Sequence, residues 1–201
     1  MKVIAFNGSP RKKWNTHTLL DRVLQGAQSK GADVEMINLY DLDYTGCTSC
    51  FACKRKGIIV DTCTVKDDLL PVFQRVLDCD AIILGSPIYF ADVTGEMRCF
   101  MERLLFPYRS YEGKGSLFKK KIKTAFIYTM NAPKIYLMLG GYKHIFKKNK
   151  KVFGEVFGHC ENLIATATYQ FNDYSKYAMT RFDGEKRKKR HETVFQEDFY
   201  F

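Results

Sequence analysis

The sequence predicts an α/β protein built on an open, doubly wound parallel sheet. Three observations carry that expectation. Short apolar runs rich in β-formers alternate along the chain with longer amphipathic stretches. One run, AIILG at residues 81–85, is apolar throughout, as a strand buried on both faces must be. Glycine turns close the first and third runs, NGS at 7–9 and GSP at 85–87. In such sheets ligands bind beyond the carboxyl ends of the strands.

The elements follow in order. KVIAF (2–6) reads as the first strand, ending at Asn7-Gly8. In THTLLDRVLQGAQSKG (16–31), Leu19, Leu20, Val23, Leu24 and Ala27 share one helical face, and Gly31 closes the helix. DVEMINL (33–39) is the second strand, and a long cysteine-bearing connection follows it. KDDLLPVFQRVLDCD (66–80) is helical, with Asp67 and Asp68 suited to its start and Pro71 tolerable only in the first turn. AIILGSP (81–87) is the third strand and TGEMRCFMERLLF (94–106) the next helix. KTAFIYTM (123–130) is the fourth strand, and residues 133–157 are mostly helix with a weak point at Gly140-Gly141. NLIATATYQF (162–171) reads as the fifth strand. One domain spans 1–201, its core about 1–172, with a charged and aromatic tail over 173–201.

Charge narrows the partners. The formal net charge is +10, which favours anions: phosphates, nucleotides, nucleic acid or an acidic membrane face. The basic runs FKKKIK (118–123), KKNKK (147–151) and EKRKKRH (185–191) read as solvated faces, and no nucleic-acid motif accompanies them. The opening apolar run is too short for a signal peptide, and no stretch reaches the length of a membrane span. The expectation is a cytoplasmic protein with no membrane or nucleic-acid partner, whose seven cysteines stay reduced.

Two loops carry the chemistry. NGSPRKKWNTHT (7–18) supplies Ser9, Asn15, Thr16 and Thr18 as donors, Arg11, Lys12 and Lys13 as cations, and no acid, just before a helix N-terminus. Free amides and the helix dipole there favour an anion. The loop is neither a G-x-G-x-x-G turn nor a G-K-[ST] loop, so a terminal monophosphate held without metal suits it. GSPIYFADVTGEM (85–97) places Tyr89 and Phe90 just past the third strand, where backbone and ring could meet a planar ligand. The uncharged TMNAP (129–133) suits a neutral ring near its walls. No Ser–His–Asp set, paired-carboxylate site or H-E-x-x-H is present, and the four histidines are scattered, so a cofactor must carry the reaction.

GSPRKKWNTHTLL together with LGSPIYFADVTGEMRCFMERL resembles the flavodoxin-like NAD(P)H-dependent FMN reductase family, over roughly residues 1–131. The resemblance implies a 2-1-3-4-5 sheet and bound FMN, with NAD(P)H as reductant. By match, Ser9, Arg11, Asn15 and Thr16 take the phosphate, and Ser86, Pro87, Ile88, Tyr89 and Phe90 contact the isoalloxazine ring. It also implies a homodimer, for which the aromatic tail VFQEDFYF (194–201) is a candidate arm. Lys13 and Trp14 stand where the family often has small residues.

The cysteine segment resembles the iron–sulfur flavoprotein branch. Cys47, Cys50 and Cys53 follow a C-x2-C-x2-C spacing, and Cys63 is the candidate fourth ligand of a [4Fe-4S] cluster. The branch has a shorter final gap than the nine residues inserted here. Zinc is disfavoured because no second C-x2-C pair follows. Lys54, Arg55 and Lys56 should lower the neighbouring thiol pKa values. The favoured expectation is FMN without a metal, the segment forming a flap over the flavin.

Two functions fit these residues. One is an oxidoreductase taking hydride from NAD(P)H and reducing a small acceptor: a quinone, free flavin, an azo or nitro compound, or iron. The other is an electron-carrier flavoprotein, with or without a [4Fe-4S] cluster.

Overall fold

Strands β1 (Lys2–Asn7), β2 (Asp33–Asn38), β3 (Ala81–Pro87), β4 (Ile122–Thr129) and β5 (Gly158–Ala165) form one parallel sheet in the order β2-β1-β3-β4-β5. The structure is a computed structural model that describes residues 1–57, 61–113, 115–139, 141–178, 183–190 and 192–193. Helices α1 (Asn15–Gln28), α2 (Leu69–Asp78), α3 (Gly95–Leu105), α4 (Ile135–Leu139), α5 (Tyr142–Phe157) and α6 (Gly184–Arg190) fill the connections.

Alternation along the strands divides the core between two faces. Ile4, Phe6, Ile82, Leu84, Phe126 and Tyr128 point to the face covered by α2, α3 and α5. Val3, Ala5, Ile83 and Ile127 point to the other, against Leu19, Leu20 and Leu24 of α1. This is why β3 is apolar from Ala81 to Gly85: both of its faces are packed. The first face is aromatic, with Phe6–Phe100 and Phe126–Phe153 ring centroids 4.5 and 4.8 Å apart.

Two glycines let loops and layers approach. An added Cβ at Gly85 would stand 2.6 Å from Leu20 Cδ1 and 2.9 Å from Thr16 Cγ2, so α1 could not lie against β3. At Gly8 it would stand 2.9 Å from Met97 Cβ, and the Gly8 amide donates to Gly85 O at 2.8 Å. The first and third loops are thereby fixed side by side.

The long helical run over 133–157 divides, as its paired glycines suggested: Gly141 has φ 72° and α5 begins after it. Two expectations need correcting. The fifth strand begins at Gly158, directly where α5 ends, and stops at Ala165 rather than 171. Its last residues are strand-formers by composition, but Ala167 takes φ 60° and turns the chain out of the sheet. The basic run near the C-terminus is a solvated helix face, α6, but one of its cations is engaged: Arg187 Nη1 donates to Asn131 O at 2.9 Å. VFQEDFYF lies outside the described residues. No described helix is long and apolar enough to cross a membrane.

Candidate functional site

Loops after β1, β3, β4 and β5 converge on a cleft of about 170 Å³ at the carboxyl edge of the sheet. Ser9, Arg11, Asn15, Thr16, Pro87, Ile88 and Tyr89, seven of the nine residues expected to hold a cofactor, line it. Ser86 and Phe90 do not. Ser86 is fully buried; its hydroxyl donates to Pro87 O (2.9 Å) and accepts from Thr94 N (3.1 Å), bracing the loop from behind. Phe90 has φ 48° and projects fully into solvent at the tip of its turn.

The first loop is shaped for an anion. α1 begins at Asn15 with Trp14 as its N-cap, which offers no capping oxygen, and its first turn holds no acid. First-turn amides have no intrahelical acceptor, so the helix start is uncapped, electropositive and open to the cleft. Ser9 is buried, and its hydroxyl accepts from Arg11 N at 3.2 Å. Side-chain donors are committed elsewhere. Asn15 Nδ2 and Trp14 Nε1 donate to Tyr169 O at 2.8 and 3.0 Å, and Arg11 Nη1 donates to Gln170 O at 2.6 Å. Thr16 Oγ1 pairs with Thr129 Oγ1 at 2.8 Å. The Ser9 hydroxyl proton and the backbone amides at the helix start are therefore left for a phosphate, held in place by these side chains. Such a cradle fits FMN's terminal phosphate.

The remaining walls suit a flat ring. Ile88 N donates to Thr129 O at 2.9 Å, joining the third loop to the fourth. Tyr89 is half-exposed at the mouth, beside Met130 and Asn131. Thr94 Oγ1 donates to Gly8 O (2.7 Å) and accepts from Met97 N (3.3 Å), so one hydroxyl caps α3 and holds the first loop. The sequence reading passed over Thr168, Tyr169 and Gln170, which complete the cleft. Thr168 N donates to Met130 O at 3.1 Å.

The cysteine segment sits elsewhere. Cys47, Cys50, Cys53 and Cys63 line one apolar pocket with Phe51, Phe106 and Pro107, and none of them lines the cleft. The expected flap over the flavin is therefore absent among the described residues. The segment is held instead on α3 and the turn after it: Cys47 N donates to Glu102 Oε2 (3.2 Å), and Lys54 Nζ donates to Pro107 O (2.8 Å) and Arg109 O (2.5 Å). Ser49 and Phe51 are both left-handed at φ 54°, the sharp bends that fold the thiols together. Arg103, almost wholly buried, donates from Nε to Cys63 Sγ at 3.2 Å and grips Asp67 with Nη1 (2.5 Å) and Nη2 (3.0 Å). The basic run does not lower every thiol as expected: burial pushes Cys53 up and outweighs the Lys54 ammonium beside it. Among the described residues no three His, Cys, Asp or Glu side chains are placed to share one metal ion.

A profile of the family described as NADPH-dependent FMN reductase matches residues 1–131, which hold the first and third loops and the whole of β1 to β4. The chain belongs to that family. Among its relatives are an iron–sulfur flavoprotein of Methanocaldococcus jannaschii, 36% identical over 103 residues, covering 51% of each chain, and one of Archaeoglobus fulgidus, 36% identical over 108 residues, covering 54% of this chain and 47% of that one. The chain thus spans about half the length of these curated relatives. An NAD(P)H:quinone oxidoreductase from Methanothermobacter marburgensis superposes with a TM-score of 0.64 at 12% identity, covering 99% of this chain and 96% of the other. An FMN-dependent NADH-azoreductase from Bacillus anthracis, in complex with FMN, gives the same values. At that identity the likeness is one of fold: the 2-1-3-4-5 sheet is the FMN reductase sheet.

Proposed function

We propose that the chain is an FMN-dependent oxidoreductase that takes hydride from NAD(P)H and passes electrons to a small acceptor, such as a quinone, a flavin, an azo or nitro compound, or iron. The uncapped, acid-free start of α1 opening onto the cleft carries this reading, because it is a site for one phosphate and needs no metal. Ser9 and the first-turn amides would hold the phosphate, and Pro87, Ile88, Tyr89 and the loop at Thr129–Asn131 would flank the ring. Bound flavin supplies hydride acceptance and electron release in ones or pairs. In this reading the residues Thr16, Thr129 and Ile88 would hold the ring at the sheet edge and keep water from it, and Tyr89 would stand at the open mouth. The family's names support the reading, and a homodimer is proposed with it on the same family grounds.

The test is direct. Protein as purified should show flavin absorption and about one FMN per chain, and anaerobic addition of NADPH or NADH should bleach it. Asn15→Asp sets a carboxylate at the helix start. At an effective dielectric of about 20, repulsion near 4 Å amounts to about 4 kcal/mol, so FMN should bind at least about a hundredfold more weakly. Unchanged affinity in that variant would place the phosphate elsewhere.

A second reading rests on one observation, the gathering of Cys47, Cys50, Cys53 and Cys63 around a single pocket backed by the Arg103 guanidinium. In it the thiols hold a [4Fe-4S] cluster and the chain is an electron carrier. The iron–sulfur flavoprotein names of the curated relatives favour it. The nine-residue final gap weighs against it. Iron and acid-labile sulfide assayed after anaerobic purification separate the readings: about four of each per chain establish the cluster.

A further inference from the structure

Beyond the matched residues the chain comes back to the cleft as α6. Asp183 starts this short helix: its Oδ1 accepts from Glu185 N (3.0 Å) and Lys186 N (3.2 Å). Glu185, Lys186, Lys188 and Lys189 are exposed, as a solvated basic helix requires. Arg187 is half-buried instead, because it turns inward onto the loop after β4.

What Arg187 does there is set a direction. Its Nη1 donates to Asn131 O at 2.9 Å and also to Asn131 Oδ1. A guanidinium has donors and no acceptor, so the Asn131 amide must turn its oxygen towards it. The amide nitrogen then faces the other way, and Asn131 Nδ2 donates to Gln170 Oε1 at 2.7 Å. With Oε1 taken, the Gln170 amide is turned in its turn, and its Nε2 donor is the end left over, with no acceptor among the described residues. Asn131 and Gln170 both line the cleft. The Gln170 backbone is pinned on each side: its carbonyl accepts from Arg11 Nη1 (2.6 Å), and its amide donates to Tyr174 Oη (3.1 Å). Two neutral amides in a row could point either way; the cation at the head of the row decides.

We propose that Arg187 is a positioning residue for the cleft: it turns the Asn131 and Gln170 amides so that Gln170 Nε2 stands as a donor to an oxygen of bound FMN. The assignment rests on reading the cleft as the flavin site. The phosphate and the ring carbonyls of FMN are acceptors, so a donor on the wall is their complement. The same amide turned over would set oxygen against oxygen and leave both without a partner. Arg187 itself does not line the cleft and acts only through the two amides. It stands 56 positions beyond Asn131, outside the residues that the family match covers.

FMN release tests this. Flavin-loaded protein is diluted, and the fluorescence that FMN regains on leaving gives the dissociation rate. Arg187→Met keeps the side-chain stem and removes the donor, and release should be about fivefold faster, the size of one neutral hydrogen bond. Arg187→Lys, still a donor and no acceptor, should stay within about twofold of the parent, which a loss of mere packing would not predict. Gln170→Met should also speed release about fivefold, and adding Arg187→Met to it should change the rate by less than about twofold, because both act through one contact. A parent-like rate in Arg187→Met, a lysine variant as fast as the methionine one, or effects that multiply in the double variant would each overturn the assignment. If FMN is bound and the variants fail in these ways, the assignment falls and the oxidoreductase reading stands. A parent protein without FMN overturns both.

Discussion

Arg103 is the residue on which the cysteine segment depends. Its guanidinium is almost fully buried and touches three parts of the chain: Asp67 before α2, Thr45 O, and Cys63 Sγ. Burial alone would lower its pKa, but the bonds to Asp67 and Cys63 outweigh it and keep the charge fixed. A buried charge robbed of its partner is costly, about 3–5 kcal/mol. The Asp67 side chain is 17% accessible, which places Asp67→Asn near the lower end. Urea unfolding should therefore show a loss of about 3 kcal/mol. A loss below about 1 kcal/mol would mean that water reaches and solvates the guanidinium.

At the scale of elements, α2 ends on a titratable group. Cys79 follows its last turn, is wholly buried, and donates Sγ–H to Val76 O at 3.2 Å. Burial pushes this thiol up to about 11. An unfolded chain loses the same proton near the ordinary thiol value, so between the two values the unfolded state is the deprotonated one. The thiol's contribution is thus complete below the ordinary value and disappears as pH rises towards about 11. Burial raises Cys160 and Tyr128 as well, and they act in the same sense. Denaturation midpoints should fall through this alkaline window, and Cys79→Ala should flatten the fall; an equal or steeper decline in the variant would refute the assignment. Elements with one periodicity and clear punctuation were legible from the sequence: Pro71 sits in the first turn of α2, and Gly141 opens α5. The end of β5 was not. Thr166, Thr168 and Tyr169 are good strand residues, and only the left-handed turn at Ala167, held by the bond from its amide to Ala132 O (3.1 Å), takes Thr168 and Tyr169 out of the sheet and into the cleft.

Across the whole molecule, the half of the site made by local sequence was readable, and the half made by distant segments was not. Ser9, Asn15 and Thr16 announce themselves as a helix start without acids. The carbonyls of Tyr169 and Gln170 that anchor Asn15, Trp14 and Arg11 lie more than 150 positions away, and a carbonyl has no sequence signature. The amide relay beside them forms only because the chain returns there. The same return bears on where the smallest autonomous folding unit lies. The family match stops at Asn131, two residues past β4. Physically nothing ends there: Arg187 grips Asn131, α5 covers Phe126 and Tyr128, and β5 supplies the ladder partner along all of β4. A fragment of residues 1–131 would present β4 as an open, aromatic strand edge, a template for pairing with other chains. Its far-ultraviolet dichroism and sedimentation should report aggregate rather than a folded monomer. The evolutionary module and the cooperative unit of this protein therefore have different boundaries, and a cut made at the first would destroy the second.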